Sequence, residues 1–273
     1  MTVIQTNKWL EQYITNKNGT LRQNIELQRD TLCKELTPYF IDVTSSDIHL
    51  HLLNHGLFTP DPLDKQTIQD LTESDCWSII DKQFNQLRKK WKGPDVPIFI
   101  FPSDHTNPLL QSEFNGLSGL SFEDKIFLFI SNKASTKQIQ ALFTHEYNHV
   151  CRLETSKKNG EKLNLLDAMI MEGIAEHAVK THIGEEYLAF WTQLYPLHYA
   201  KSKWKQWIEP HLTVKKTNRL QHQLMYGSNT IPKWLGYNFG YHIVSTYTKN
   251  KKASTKELIH TPSQTILANS AFK

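Results

Sequence analysis

Residues 137–153 contain neither proline nor glycine. They place His145 and His149 four apart and spread Ile139, Leu142, Phe143, Val150 and Leu153 at helical intervals. Positions three and four apart share a helix face, so the segment is predicted helical, and its apolar stripe obliges it to pack inside a folded domain. Ser135 and Gln138 supply a predicted capping box at its start. The two imidazoles then project together from one face of a largely buried helix.

The run His145-Glu146-Tyr147-Asn148-His149 restricts chemistry as tightly as it restricts structure. Two imidazoles at this spacing can grip one cation. Zn²⁺ takes neutral imidazole nitrogens readily, and three protein ligands leave a fourth position for water, whose pKa falls to about 7 on the metal. Glu146 then lies beside the cation as general base rather than ligand, a role that contributes on the order of 10²–10⁴ in rate. With 13 histidines in 273 residues, the pattern arises by accident in on the order of a few per cent of such chains. The competing reading, an exposed helix with two unremarkable histidines, is opposed by the apolar surroundings.

A third ligand has to come from elsewhere. After a polar reversal at Lys157-Lys158-Asn159-Gly160, Asn164 and Asp167 mark the cap of a second predicted helix, Leu165 to His177. Leu165, Leu166, Met169, Ile170 and Val179 give it a core face, and Glu172 and Glu176 lie on that face. Carboxylates there need partners. A metal ion would serve Glu172, and the free ring N–H of a ligand histidine would serve Glu176, fixing the tautomer. Taken alone, the pair reads rather as two solvated helix acids, and joined to the upstream motif as ligand and support. Gly173 costs about 1 kcal/mol against Ala in mid-helix, which predicts a close helix contact.

His145-Glu146-x-x-His149 followed by Glu172-Gly173-Ile174-Ala175-Glu176 resembles the gluzincin group of metallopeptidases, and more narrowly the bacterial YjaZ-like predicted zinc-dependent proteases. Gly116-Leu117-Ser118-Gly119, the apolar segment Lys125 to Asn132, and Gly236-Tyr237-Asn238-Phe239-Gly240-Tyr241 extend the resemblance from about Val96 to the C-terminus. It implies His145, His149 and Glu172 as zinc ligands, Glu146 as the base, and Glu176 as support for the first histidine. Thermolysin-like members carry Asn-Glu-x-x-x-Asp, whereas here Met171 stands for the Asn and Glu176 for the Asp. In metallopeptidases of this kind the strand before the motif helix is a sheet edge that pairs with extended substrate, which makes Ile126 to Ser131 the candidate edge and an interior strand its alternative. Tyr237 and Tyr241 share a helix face with His242 adjoining, and the resemblance favours Tyr237 as oxyanion stabiliser over simple aromatic packing.

The fold expected is α+β and predominantly helical, with a small mixed or antiparallel sheet packed on the motif helix. Residues 1–93 read as a helical N-terminal region and 94–273 as the zinc metallopeptidase domain. Trp9, Leu10, Tyr13 and Ile14 open the helical region, and a later helix spans Ser74 to Lys92. Leu120 to Asn132 reads as a hairpin, Glu185 to Tyr195 and Tyr237 to Lys249 as helices, and Thr261-Pro262-Ser263-Gln264 as the capped start of a last helix.

A formal net charge of +4, from 31 basic and 27 acidic residues, is too mild to argue for a nucleic-acid partner. Arg88-Lys89-Lys90-Trp91-Lys92 and Lys249 to Lys252 read as solvated helix ends. No stretch approaches the roughly 20 apolar residues of a membrane span, and the first residues lack a basic-then-apolar signal pattern. The expectation is a cytoplasmic protein acting on a peptide or protein substrate. Cys33, Cys76 and Cys151 have no short spacing and read as free structural thiols. His49, His51 and His55 have only Asp47 nearby to complete a metal site, so they read as surface or satisfied polar positions. Together these features predict a zinc-dependent peptidase. The alternative is a non-catalytic zinc-stabilised binding or regulatory module that keeps the fold.

Overall fold

A computed structural model describes residues 2–156 and 162–273, so the reversal at Lys157-Lys158-Asn159-Gly160 lies outside the described residues. The chain is mostly helical with one small mixed sheet, and it divides into two units: residues 1–86 with 95–143, and residues 87–94 with 144–273.

In the first unit, helices α1 (Thr6–Asn16), α2 (Leu21–Gln28), α3 (Lys34–Leu36), α4 (Ser45–Asn54), α5 (Asp64–Thr72) and most of α6 (Cys76–Trp91) precede strand β1 (Ile98–Pro102). Helix α7 (Pro108–Phe114) then leads to β2 (Leu117–Ser121), β3 (Ile126–Ile130) and the start of α8 (Thr136–Ser156). Ile-Phe-Ile-Phe and Ile-Phe-Leu-Phe-Ile are continuous apolar runs rather than alternations, the pattern of strands covered on both faces. Every residue of β1 and β3 is buried.

The expected hairpin forms, with β2 starting at Leu117 and pairing antiparallel to β3. The expected substrate-binding edge does not. Strand β3 is central, parallel to β1 with Phe99 opposite Phe127, and antiparallel to β2 with Gly119 opposite Leu128. A strand apolar on both faces is best buried between neighbours, and β3 has them on each side. The outer side of β1 is taken by the chain start, where the Ile4 N–H donates to the Ile98 carbonyl at 2.9 Å. The half-buried β2 is therefore the edge with no further strand among the described residues.

Stacked Phe99 and Phe127 (ring centroids 4.9 Å apart) centre the core, with Tyr39 edge-on to Phe99 and Leu10, Tyr13, Leu32, Leu36 and Ile48 packed around them. His49 is buried and satisfied, its Nε2 2.7 Å from Gln28 Oε1. His51 is exposed, and His55 Nδ1 lies 2.7 Å from the His51 carbonyl.

In the second unit α8 continues, followed by α9 (Leu165–His182), α10 (Leu197–Trp207), α11 (Arg219–Tyr226), α12 (Leu235–Lys251), α13 (Thr255–His260) and α14 (Ser263–Ala268). Asn164 caps α9, its Oδ1 accepting from the Asp167 N–H at 2.9 Å. The close contact predicted at Gly173 is with α12: a Cβ there would lie 2.3 Å from the Gly240 carbonyl oxygen.

Glu185 to Tyr195 is not an α-helix. It forms two 3₁₀ turns, Glu185–Tyr187 and Phe190–Gln193, with Ala189 extended between them. The Ala189 N–H donates to Glu176 Oε2 at 2.8 Å, a bond that a continuous helix would withhold. The last helix starts at Ser263 with Pro262 as its cap, and the expected capping box is absent. Arg152 takes the Thr261 carbonyl at 2.7 Å, and the Ser263 hydroxyl donates to Asp167 at 2.7 Å, so the hydroxyl and carbonyl beside the turn serve tertiary bonds. All three cysteines are free and buried, and burial pushes each thiol up to about 12. Among the described residues no helix is long and apolar enough to cross a membrane.

Candidate metal centre

Helix α8 begins as the sequence requires. The Ser135 N–H donates to Gln138 Oε1 at 2.9 Å, and the Gln138 N–H donates back to Ser135 Oγ at 3.3 Å. Further along the helix His145 and His149 stand on one face with ring centroids 4.5 Å apart and planes crossed at 85°. Helix α9 brings Glu172 to them. Its Oε2 lies 3.2 Å from His145 Nε2 and 3.5 Å from His149 Nε2. One ligand atom from each of the three residues fits within 4.8 Å of the others.

Glu176, one turn beyond Glu172, holds His145 from behind. Its Oε1 is 2.8 Å from His145 Nδ1, and Oε2 accepts the Ala189 N–H. A carboxylate accepts, so the proton of the neutral ring sits on Nδ1 and the Nε2 lone pair faces Glu172. Glu146 is buried on the same helix at 7 % exposure.

The electrostatics follow from this packing. Burial alone would lower the His145 pKa, but the Glu172 and Glu176 carboxylates raise it well above the ordinary imidazole value. Burial alone would raise Glu172, yet His149 and His145 hold it well below the usual carboxylate range.

The residues fit a divalent cation. Glu172 Oε2 is buried and makes no hydrogen bond among the described residues, although two imidazole nitrogens stand within 3.5 Å of it. A cation at the point where the three donor atoms meet would take the place of the proton that the two carboxylates favour on His145, and would neutralise the buried Glu172 carboxylate. Two imidazoles with one carboxylate is a donor set that zinc accepts, leaving a coordination position open. His149 Nδ1 has no hydrogen-bond partner among the described residues, so a bracing carboxylate stands behind one ring only.

Tyr237, on the first turn of α12, comes to this site. Burial, followed by the charge of Glu172 and then smaller contributions including Glu146, holds its phenol well above the ordinary value, so it stays a donor. Tyr241 instead interacts with Lys180, and His242 Nε2 lies 2.7 Å from the Tyr195 carbonyl. Two neighbours carried no readable signal in the sequence. Tyr226, at the end of α11, accepts the Tyr237 hydroxyl at 3.0 Å and feels the Glu172 charge. Trp191, in a 3₁₀ turn, stands edge-on to His145 at 6.2 Å and to Tyr237 at 5.2 Å.

The family described as "Predicted Zn-dependent protease (DUF2268)" matches residues 76–268, about twenty residues further toward the N-terminus than the motifs alone suggested. "Uncharacterized protein YjaZ" of Bacillus subtilis (strain 168) is 38% identical over 270 residues, covering 98% of each chain. No solved structure matches. On the family match and the near full-length similarity, the chain belongs to the predicted Zn-dependent protease family.

Proposed function

We propose that this chain is a zinc-dependent peptidase in which His145, His149 and Glu172 hold the metal and Glu146 is the general base. The observation that carries the reading is the convergence of three ligand atoms on one point, with Glu176 fixing the tautomer that turns His145 Nε2 toward it. A zinc ion bound there supplies Lewis-acid polarisation and water whose pKa is lowered to about 7.

The remaining steps belong to the chain. The Glu146 carboxylate takes a proton from the attacking water and returns it to the leaving nitrogen of the scissile amide. Tyr237, kept protonated by burial and by Glu172, turns its one hydroxyl hydrogen from Tyr226 to the oxygen on which negative charge grows. Glu176 is a positioning residue, acting through His145. Trp191 stands beside the first imidazole and limits access of bulk water.

Purified protein is expected to hold about one zinc per chain. Glu146→Gln should keep that zinc and lose cleavage of a peptide library. Glu172→Ala should lose both zinc and cleavage. Undiminished cleavage by the Glu146→Gln protein would overturn the assigned base, and zinc without any Glu146-dependent cleavage would leave the non-catalytic module.

A further inference from the structure

The two short basic runs of the sequence meet in the second unit. Lys90 from the first and Lys249 and Lys252 from the second line one cavity of about 820 Å³, together with Lys180 and Lys256. No aspartate or glutamate is among its lining residues. The volume lies within the roughly 300–1,000 Å³ of small-molecule sites.

Helix ends account for part of this charge. Lys90, Lys180 and Lys249 stand in the last turns of α6, α9 and α12, where each helix terminus carries about half a negative charge. Lys180 is also paired with Glu185 at 2.7 Å. Set against five ammonium groups, these leave a surplus of about two to three positive charges.

The wall also holds unsatisfied polar groups. Trp91 Nε1, His182 Nε2 and Thr255 Oγ1 belong to lining residues and have no hydrogen-bond partner among the described residues. Trp91 is 1% exposed and Thr255 3%. Buried polar groups are rarely left unpaired in folded proteins, and a ligand is one thing that completes them. His177 and His182, pushed down to about 4 by burial and then by lysine charge, stay neutral beside the lysines and add no charge of their own.

We propose that this cavity binds a small phosphate ligand carrying two or three negative charges. Lysine ammonium groups suit phosphate oxygens as point charges. Ser245 adds a hydroxyl to the wall, while the Thr181 and Thr248 hydroxyls donate to the His177 and Ser245 carbonyls. The site is separate from the metal centre and does not depend on the peptidase reading. It lies at the C-terminal end of α9, the helix that also carries Glu172 and Glu176.

The test is calorimetric titration of the full chain with pyrophosphate and with ADP, before and after metal removal, at about 0.15 M salt. One saturable site is expected in both states. Tighter binding of ADP than of pyrophosphate would identify a nucleotide ligand, and equal binding would place recognition in the phosphates alone. Lys90 and Lys249 are exposed, so the Lys90→Gln, Lys249→Gln protein should fold. It should bind on the order of a hundredfold more weakly, as expected for loss of two charge-assisted hydrogen bonds at about tenfold each. In the unaltered protein, the His182 ring resonances should shift with ADP and not with adenosine. Absence of saturable binding, unchanged affinity in the double variant, or an unmoved His182 would each overturn the proposal.

Discussion

Gly173 and Gly240 meet backbone to backbone where α9 crosses α12. A Cβ on Gly240 would stand 2.0 Å from the Met169 carbonyl oxygen, and one on Gly173 would stand 2.3 Å from the Gly240 carbonyl oxygen. The crossing lets α9 present Glu172 while α12, three residues before Gly240, presents Tyr237. A methyl group at either position therefore moves Glu172 away from the Tyr237 phenol as well as straining the core.

Gly240→Ala is expected to lower stability by about 1–3 kcal/mol, the usual cost of overpacking, with its obstacle a backbone carbonyl that cannot rotate aside. Chemical denaturation checks the size. Metal affinity should fall in the same variant, and a protein with both quantities unchanged would mean that the two helices can slide apart freely.

Glu176 binds no metal in the proposed scheme, so its removal separates positioning from ligation. Glu176→Ala frees the His145 ring and leaves the Ala189 N–H without its acceptor. Zinc affinity should fall by about 10–100-fold, as for other lost supports of a ligand histidine. Glu176→Gln keeps one acceptor and should recover part of it. Competition with a chromophoric chelator measures both, and equal affinities for all three proteins would remove Glu176 from the site.

Tyr237→Phe removes the proposed oxyanion donor and should cut kcat by on the order of 10²–10³ with little change in KM. Tyr226→Phe removes the acceptor that holds the Tyr237 proton, so it should leave kcat undiminished. In the double variant the Tyr226 change should have no effect of its own, because the proton it competes for is gone. Steady-state kinetics on a single peptide decides it; a change confined to KM would make Tyr237 a binding residue.

What could be read in the sequence was local. The Ser135/Gln138 box, the Asn164 cap and the shared face of His145 and His149 depend on residues three or four apart, whose geometry helix periodicity dictates. Gly173 announced a close neighbour because its cost in mid-helix needs a reason, although not which helix would answer. Whether strand β3 is an edge or an interior strand stayed open in the sequence, because its centrality rests on pairing with β1, about thirty residues earlier, which no alternation in either apolar run encodes. The Glu185 to Tyr195 segment lost its helix to a tertiary demand, the Glu176 carboxylate claiming the Ala189 N–H. Tyr226 was invisible for the same reason, since its partner Tyr237 lies on a different helix.

Stability should also fall with acid through two rings outside the metal centre. His177 and His182 are pushed down to about 4, in both cases first by burial, then by Lys180 for His177 and by Lys90 and His177 for His182. In the unfolded chain each titrates near ~6.5. Between those values the unfolded chain binds more protons than the folded one, so stability rises with pH. The contribution is complete above about 6.5, is lost as pH falls toward about 4, and declines no further below that. Thermal denaturation across this range should show the His177→Gln, His182→Gln protein losing stability less steeply than the parent. Protonation of the metal ligands acts on both proteins alike, so the difference in slope belongs to these two rings. Parallel slopes would mean that the rings accept protons in the folded chain as easily as in the unfolded one.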